Sequence, residues 1–277
     1  MTTTASLPFQ LTKTLMCALY ELQAISNVDP SYFPNTTLNY KYNIFPTELP
    51  DKAPKLRYFG IGIRGFKNLD DQNLAAPYVP SAKNLDLYTP LPFRVVPIDN
   101  DLTPAERLNY RMRVMKTIDN VSYWCYYLKK LSFVDNSVNI IKTNLLTSEE
   151  TTLNELDSSD LTPTPVNTSA EGTVETTEKI SVALTAGMQI TGEEVIEAIN
   201  VLYGGNLLKA VVSEIGIYCG DDQEVTMNDG LGGTFVSNEA IFASLCYHYC
   251  SLGTSFGTPS HIENLAIRLA SASAFLI

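Results

Sequence analysis

Apolar positions along this chain recur with two different periods, and the places where the period changes mark its expected elements. From Thr12 to Ile25, Leu15, Cys17, Ala18, Leu19, Leu22 and Ile25 fall largely on one stripe at helical spacing, which predicts an N-terminal amphipathic helix. Residues 26–55 then lose all periodicity. Pro34, Pro46, Pro50 and Pro54 interrupt a stretch rich in Asn, Thr and Tyr, which predicts an extended arm without a continuous hydrogen-bond ladder. Leu56 to Phe66 alternates as a strand, with Gly60, Gly62 and Gly65 allowing close backbone approach. Pro90, Pro92 and Pro97 around Phe93, Val95, Val96 and Ile98 predict an edge strand.

Two local signals are sharper. Thr103-Pro104-Ala105-Glu106 and Thr191-Gly192-Glu193-Glu194 both read as capping boxes, in which the Thr hydroxyl and the Glu three residues later satisfy the first backbone donors of a helix. The first predicts a helix from Pro104 to about Lys116, and the second a helix to Tyr203 that Gly204 and Gly205 stop. Asp119-Asn120 reads as a turn into an aromatic strand over Tyr123–Leu128, with which Ser137 to Leu146 is expected to pair. Lys179 to Ala186 alternates as a strand. Asn238 to Leu252, with Ala240, Ile241, Ala243, Leu245, Cys246 and Tyr249, predicts a third helix, and Ile262 to Leu269 a last strand.

The stretch KAVVSEIGIYCG, Lys209 to Gly220, is a largely buried strand closed by an acidic turn at Asp221 and Asp222. The two-residue period puts Glu214 on one face with Val212, Gly216 and Tyr218. A carboxylate there needs solvent at an edge, or a buried cationic or N–H partner. Arg94, Arg107 and Arg111 are the expected holders of Glu214, in a structural ion pair.

Taken together these elements predict an α+β fold: a mainly antiparallel β-sheet with about three amphipathic helices and extended Pro-rich arms. The expected divisions are residues 1–55 (helix and arm), 56–143 (first part of the body), 144–178 (an insertion) and 179–277 (second part of the body). The insertion is set apart by charge. Of a formal net charge of −11 over 277 residues, it carries eight acids from Glu149 to Glu178 and neither Lys nor Arg, so the rest is nearly neutral. A nearly neutral body argues against a nucleic-acid surface. The opening MTTTASLPFQ lacks the features of a signal peptide, and no window supplies about 18 consecutive apolar residues, so neither secretion nor membrane insertion is expected.

Candidate chemistry is sparse. Gly60, Gly62 and Gly65 match a dinucleotide-loop spacing, but the following Lys67–Asn73 is turn-like where that loop requires a helix. Cys246-x-His248-x-Cys250 would align on one metal only if the segment were extended, and a helix would splay it. The five cysteines are expected as buried free thiols. No catalytic residue, metal or cofactor is expected.

Beyond composition, two stretches carry a resemblance. Ser213-Glu214-Ile215-Gly216-Ile217-Tyr218 is similar to the S/N-E-I-G-L/I-Y strand of tail-collar, baseplate and other virion proteins of tailed bacteriophages. RYFGIGIRGF from Arg57, the run from Pro77 to Arg113, and YWCYYLKKL from Tyr123 together resemble a virion structural protein family of large tailed phages. The resemblance implies a non-enzymatic structural subunit of a phage tail or baseplate, wedge-like, assembled in the host cytoplasm with other virion proteins as a homo- or hetero-oligomer. A neck, collar or fibre-attachment protein, a host-surface binding module and a virion enzyme are the alternatives. On this reading the arm holds the assembly through Tyr32, Phe33, Tyr40 and Tyr42, and the acidic tract selects the partner.

Overall fold

The computed structural model describes residues 9–26, 33–44, 54–69, 74–133, 138–144, 146–153 and 178–272. The chain divides into two compact units, one of residues 1–131 and 189–263, the other of residues 132–188 and 264–277. The divisions therefore fall at different places from those expected. The smaller unit takes in strands on both sides of the acidic tract as well as the chain's last residues.

In chain order the larger unit begins with strand β1 (Phe9–Lys13), helix α1 (Leu15–Ser26) and a single turn of helix, α2 (Leu38–Tyr42). Strands β2 (Lys55–Gly62), β3 (Phe66–Leu69), β4 (Leu74–Pro77), β5 (Pro90–Leu91) and β6 (Arg94–Pro97) follow. After the short helix α3 (Pro104–Arg107) come strands β7 (Tyr110–Ile118) and β8 (Val121–Lys130). The smaller unit contributes β9 (Ser132–Phe133), β10 (Asn139–Asn144), β11 (Glu150–Leu153) and most of β12 (Glu178–Thr191). The larger unit resumes with α4 (Gly192–Leu202) and the long strands β13 (Val211–Asn228) and β14 (Thr234–Ser255), and β15 (Ile262–Ala272) ends the described chain.

The main sheet has eight strands in the order β1-β14-β13-β2-β8-β6, with β5 also on β2 and β7 also on β8; every pairing described in it is antiparallel. Strand β6, which ends in Pro97, lies at one end of that order, as expected of an edge strand. In the smaller unit the order is β11-β10-β12-β15 with β9 on β12. The fold is thus the expected mainly antiparallel α+β arrangement.

Several local expectations hold. Both capping boxes are formed: Thr103 and Thr191 accept from the backbone N–H groups of Glu106 and Glu194, and each Glu accepts in return from its Thr N–H. Asp119 and Asn120, with φ of 48° and 64°, make the tight left-handed turn that a two-residue hairpin between β7 and β8 needs. Gly204 and Gly205, also at positive φ, end α4.

Others give way to tertiary pairing. The helix expected to Lys116 stops at Arg107, because the residues that follow pair along the whole length of β8. Within the expected Ser137–Leu146 strand, the described residues of β10 do not join β8; β10 lies between β11 and β12. Strand β13 does not end at the acidic turn but continues to Asn228, paired with β14. The largest revision is β14 itself. Residues expected as a helix form a 22-residue strand, and every side chain from Glu239 to Cys246 is buried, so the alternation that would have revealed a strand is absent.

Helix α1 is present but turned. It packs on β13 and β14 through Met16, Cys17 and Tyr20, which join Cys219, Phe242 and Cys246 in a core cluster. Of the stripe the periodicity suggested, Cys17 is buried and Leu19 packs against this cluster, but Leu15, Leu22 and Ile25 face outward.

Candidate functional site

Two glycines and a carboxylate explain why SEIGIY has the residues it has. Strand β13 sits between β14 and β2, with Glu214 opposite Cys250 and Gly62, Gly216 opposite His248 and Gly60, and Tyr218 opposite Leu245 and Tyr58. A Cβ on Gly216 would lie 2.7 Å from the Tyr218 ring, and one on Gly60 3.2 Å, so the glycines make room for that ring to lie along the sheet. The Tyr218 hydroxyl then donates to Asp86 at 2.8 Å. Glu214 is fully buried. Its Oε1 accepts from the backbone N–H of Arg64 at 2.8 Å and of Thr89 at 3.2 Å, and its Oε2 from that of Tyr88 at 2.6 Å. His248, equally buried, brings Nε2 to 3.2 Å from Oε2, while its Nδ1 faces the Asn84 amide at 3.0 Å. With that amide donating, the imidazole proton sits on Nε2 and points at the carboxylate.

No arginine side chain is among these partners, so the expected ion pair is replaced. Arg111 holds Asp222 bidentately, Nε and Nη2 at 2.9 and 3.0 Å; Arg94 pairs with Glu197 and Arg107 with Asp101. Arg107 ends α3 and Arg111 lies on β7. Glu214 needs backbone donors because the loop over residues 78–89 runs past it without a ladder of its own. A charged acceptor satisfies two adjacent N–H groups of that loop and one at the end of β2 together.

The two stretches that carried the resemblance therefore meet. Glu214, Tyr218 and His248 pin the 78–89 loop at Tyr88, Thr89, Asp86 and Asn84. The same contacts build an open cleft of about 400 Å³ lined by Arg64, Tyr78 and Tyr88. Tyr78 is tied to it through its N–H, which donates to the Gly65 carbonyl at 2.8 Å. Gly65 is pressed against β13, where a Cβ would come to 1.9 Å from the Ser213 carbonyl oxygen, and its N–H donates to Ser213 Oγ. The glycine spacing thus serves close packing, as expected, and no helix follows it.

A second buried carboxylate lies in β14, where unbroken burial leaves no alternation to reveal it in the sequence. Glu239 accepts from the N–H groups of Met112, Arg113 and Ala240 at 2.6, 3.1 and 2.7 Å, and Met112 has a positive φ of 60°. Burial pushes the Glu239 carboxyl above its ordinary range, against the lowering by those three amides.

The C-x-H-x-C segment is extended, the condition under which its side chains would align, yet they do not converge. A bulge between Ile217 and Tyr218 changes the register of β14, so that Cys246 faces Cys219, 2.7 Å away, while His248 and Cys250 face Glu214. Among the described residues no group of three His, Cys, Asp or Glu side chains is placed to hold a metal. All five cysteines are free and buried. Burial, and then the nearby Glu214 charge, push the Cys250 thiol up to about 12. Its approach to His248 at 3.6 Å therefore supplies no thiolate at neutral pH.

Of the expected arm anchors, Tyr32 lies outside the described residues, and Phe33 and Tyr40 are exposed. Tyr42 is internal, stacked on Tyr127 with ring centroids 4.9 Å apart. The described part of the arm docks on its own chain: Leu38 and Asn39 are buried, and the Asn39 amide donates to the Ala240 carbonyl and accepts from the Ala243 N–H. Of the acidic tract, Asn144, 146–153 and 178 are described, and the remainder lies outside.

No curated protein and no solved structure matches the chain. Over residues 1–256 it matches DUF7208, a family of unknown function, and it belongs to that family.

Proposed function

We propose that this chain is a structural subunit of a tailed-bacteriophage virion, a baseplate or tail wedge-type protein that holds neighbouring subunits in a symmetric assembly. The reading rests on the resemblance of the SEIGIY strand and the 77–113 run, and the observation that carries it is the outward stripe of α1. Leu22 is 67% and Ile25 84% exposed, on a helix whose opposite face already fills the core. A helix packed on one side and apolar on the other offers a contact surface that a partner can cover. Beside it lies β1, an end strand of the main sheet, which exposes Phe9 and Leu11. We assign this edge to a neighbouring virion subunit. It replaces Tyr42 of the arm as the anchor.

The test is the composition of particles. Mass spectrometry and gold-labelled antibodies on purified virions are expected to find the chain in the tail. A double variant, Leu22→Glu with Ile25→Glu, is expected to fold with an unchanged circular dichroism spectrum and to be missing from particles. Wild-type virions without the chain would refute the role, and normal incorporation of the double variant would refute the edge. Deleting residues 26–55 would not test the edge, since it removes Leu38 and Asn39 from the core.

A further inference from the structure

The chain has seven arginines, all among the described residues. Six spend their guanidinium groups on carboxylates of the chain: Arg57 on Asp221, Arg94 on Glu197, Arg107 and Arg113 on Asp101, Arg111 on Asp222 and Arg268 on Glu150. The seventh, Arg64, has no ion pair among the described residues, although the chain as a whole is strongly acidic. It lines the 400 Å³ cleft with Tyr78 and Tyr88. We propose that this cleft binds an acidic sugar, its carboxylate on Arg64 and its ring against the tyrosines.

The geometry supports each half. A guanidinium presents a planar fork of donors matched to a carboxylate, and one left without a counter-charge beside a cleft is a ready anion anchor. The volume lies in the range of small-molecule sites, roughly 300–1,000 Å³. Tyr78 and Tyr88 meet at 65° with centroids 5.6 Å apart, so they offer one face and one edge in place of two parallel walls. That corner suits a puckered ring with C–H groups on one side and hydroxyls at its rim better than it suits a flat base held in a sandwich. Tyr88 is held in place from behind, by the Asn84 amide on its hydroxyl at 3.2 Å and by the His248 ring at 5.0 Å. The backbones of these three residues are fixed to β13, Arg64 and Tyr88 by Glu214 and Tyr78 through Gly65, so binding has side chains but no loop to order. The virion role does not depend on this site, and the site does not depend on that role.

The test is a titration of the purified full chain, followed by protein NMR, with glucuronate, glucose, inorganic phosphate and adenosine monophosphate as separate probes. Glucuronate is expected to saturate and to shift the resonances of Arg64, Tyr78 and Tyr88, with glucose and phosphate each at least tenfold weaker. Arg64→Gln, a change at an exposed side chain, is expected to weaken glucuronate at least tenfold with an unchanged melting temperature. Tyr88→Phe, which keeps the ring, is expected to retain binding, and Tyr78→Ala to lose it. Equal binding of glucose would overturn the anion half, and equal binding of phosphate the sugar half. Tighter binding of adenosine monophosphate would overturn the assignment to sugars, and saturation by none of the probes would overturn the site.

Discussion

Replacing Glu214 by Gln keeps the shape of the side chain and removes its charge, and so isolates what the carboxylate does. Glu214 satisfies three backbone donors with two oxygens, two at Oε1 and one at Oε2. An amide can accept at one end only. Its NH₂ group then faces either the Tyr88 N–H and the His248 ring or the Arg64 and Thr89 N–H groups. Turning the NH₂ to the Oε2 side gives up the His248 contact and one backbone N–H, that of Tyr88, where the other side would give up two; for the Tyr88 bond a hydrogen bond to a charged group contributes about 1.5–3 kcal/mol and an unpaired buried N–H costs about 1–3 kcal/mol. These two figures overlap, and a loss of about 3 kcal/mol is the expected outcome. At roughly 2–4 °C per kcal/mol for a chain region of this size, the melting temperature falls by roughly 6–12 °C. Hydrogen exchange supplies the local readout: protection at the amides of Tyr88 and Thr89 is expected to drop more than protection in β8. Arg111→Met is the control, since it deprives Asp222 of its partner but leaves those amides alone. A loss below about 1 kcal/mol with unchanged protection at residues 64, 88 and 89 would refute the view that the carboxylate organises the loop.

Asp222 gives a test by pH. Burial alone would raise its carboxyl, but the bonds from Arg111, then from Tyr58 and Lys130, outweigh this and lower it from 3.8 to about 2. A lowered carboxyl stabilises the fold fully above its unfolded value and ceases to do so as pH falls through the folded value. About 2 kcal/mol is therefore expected to vanish between pH ~4 and ~2, and Asp222→Asn to remove that dependence in acid titrations followed by fluorescence. Thr191→Ala is expected to lower stability in urea by about 1–2 kcal/mol, since it frees the Glu194 N–H and loosens a carboxylate that also receives Tyr110 and Lys129. No change would mean that the cap is held by Tyr110 and Lys129 alone.

Local chemistry was legible in the sequence where its partners lie within a few residues. The two capping boxes close over three residues, the Asp119-Asn120 turn over two, and the Gly204-Gly205 stop needs only a positive φ. The β13 strand and the sharing of one face by Glu214, Gly216 and Tyr218 also followed from the two-residue period. What the sequence could not show were the choices made between distant segments. Glu214 lies 125 or more residues from each loop amide it holds, and its spacing carries no sign of whether an arginine or a backbone loop reaches it first. In β14 burial on both faces erased the alternation that separates strand from helix, and with it the view of Glu239. A single extra residue in a bulge moved Cys246 away from His248. On α1 both sides are apolar, so periodicity could not decide which one the sheet would take; the small side chain of Cys17 and the ring of Tyr20 fitted against Phe242 and Cys246, and Leu22 and Ile25 were left outside. Packing complementarity made that choice, because two faces of similar hydrophobicity differ in how closely they fit and not in how strongly they avoid water.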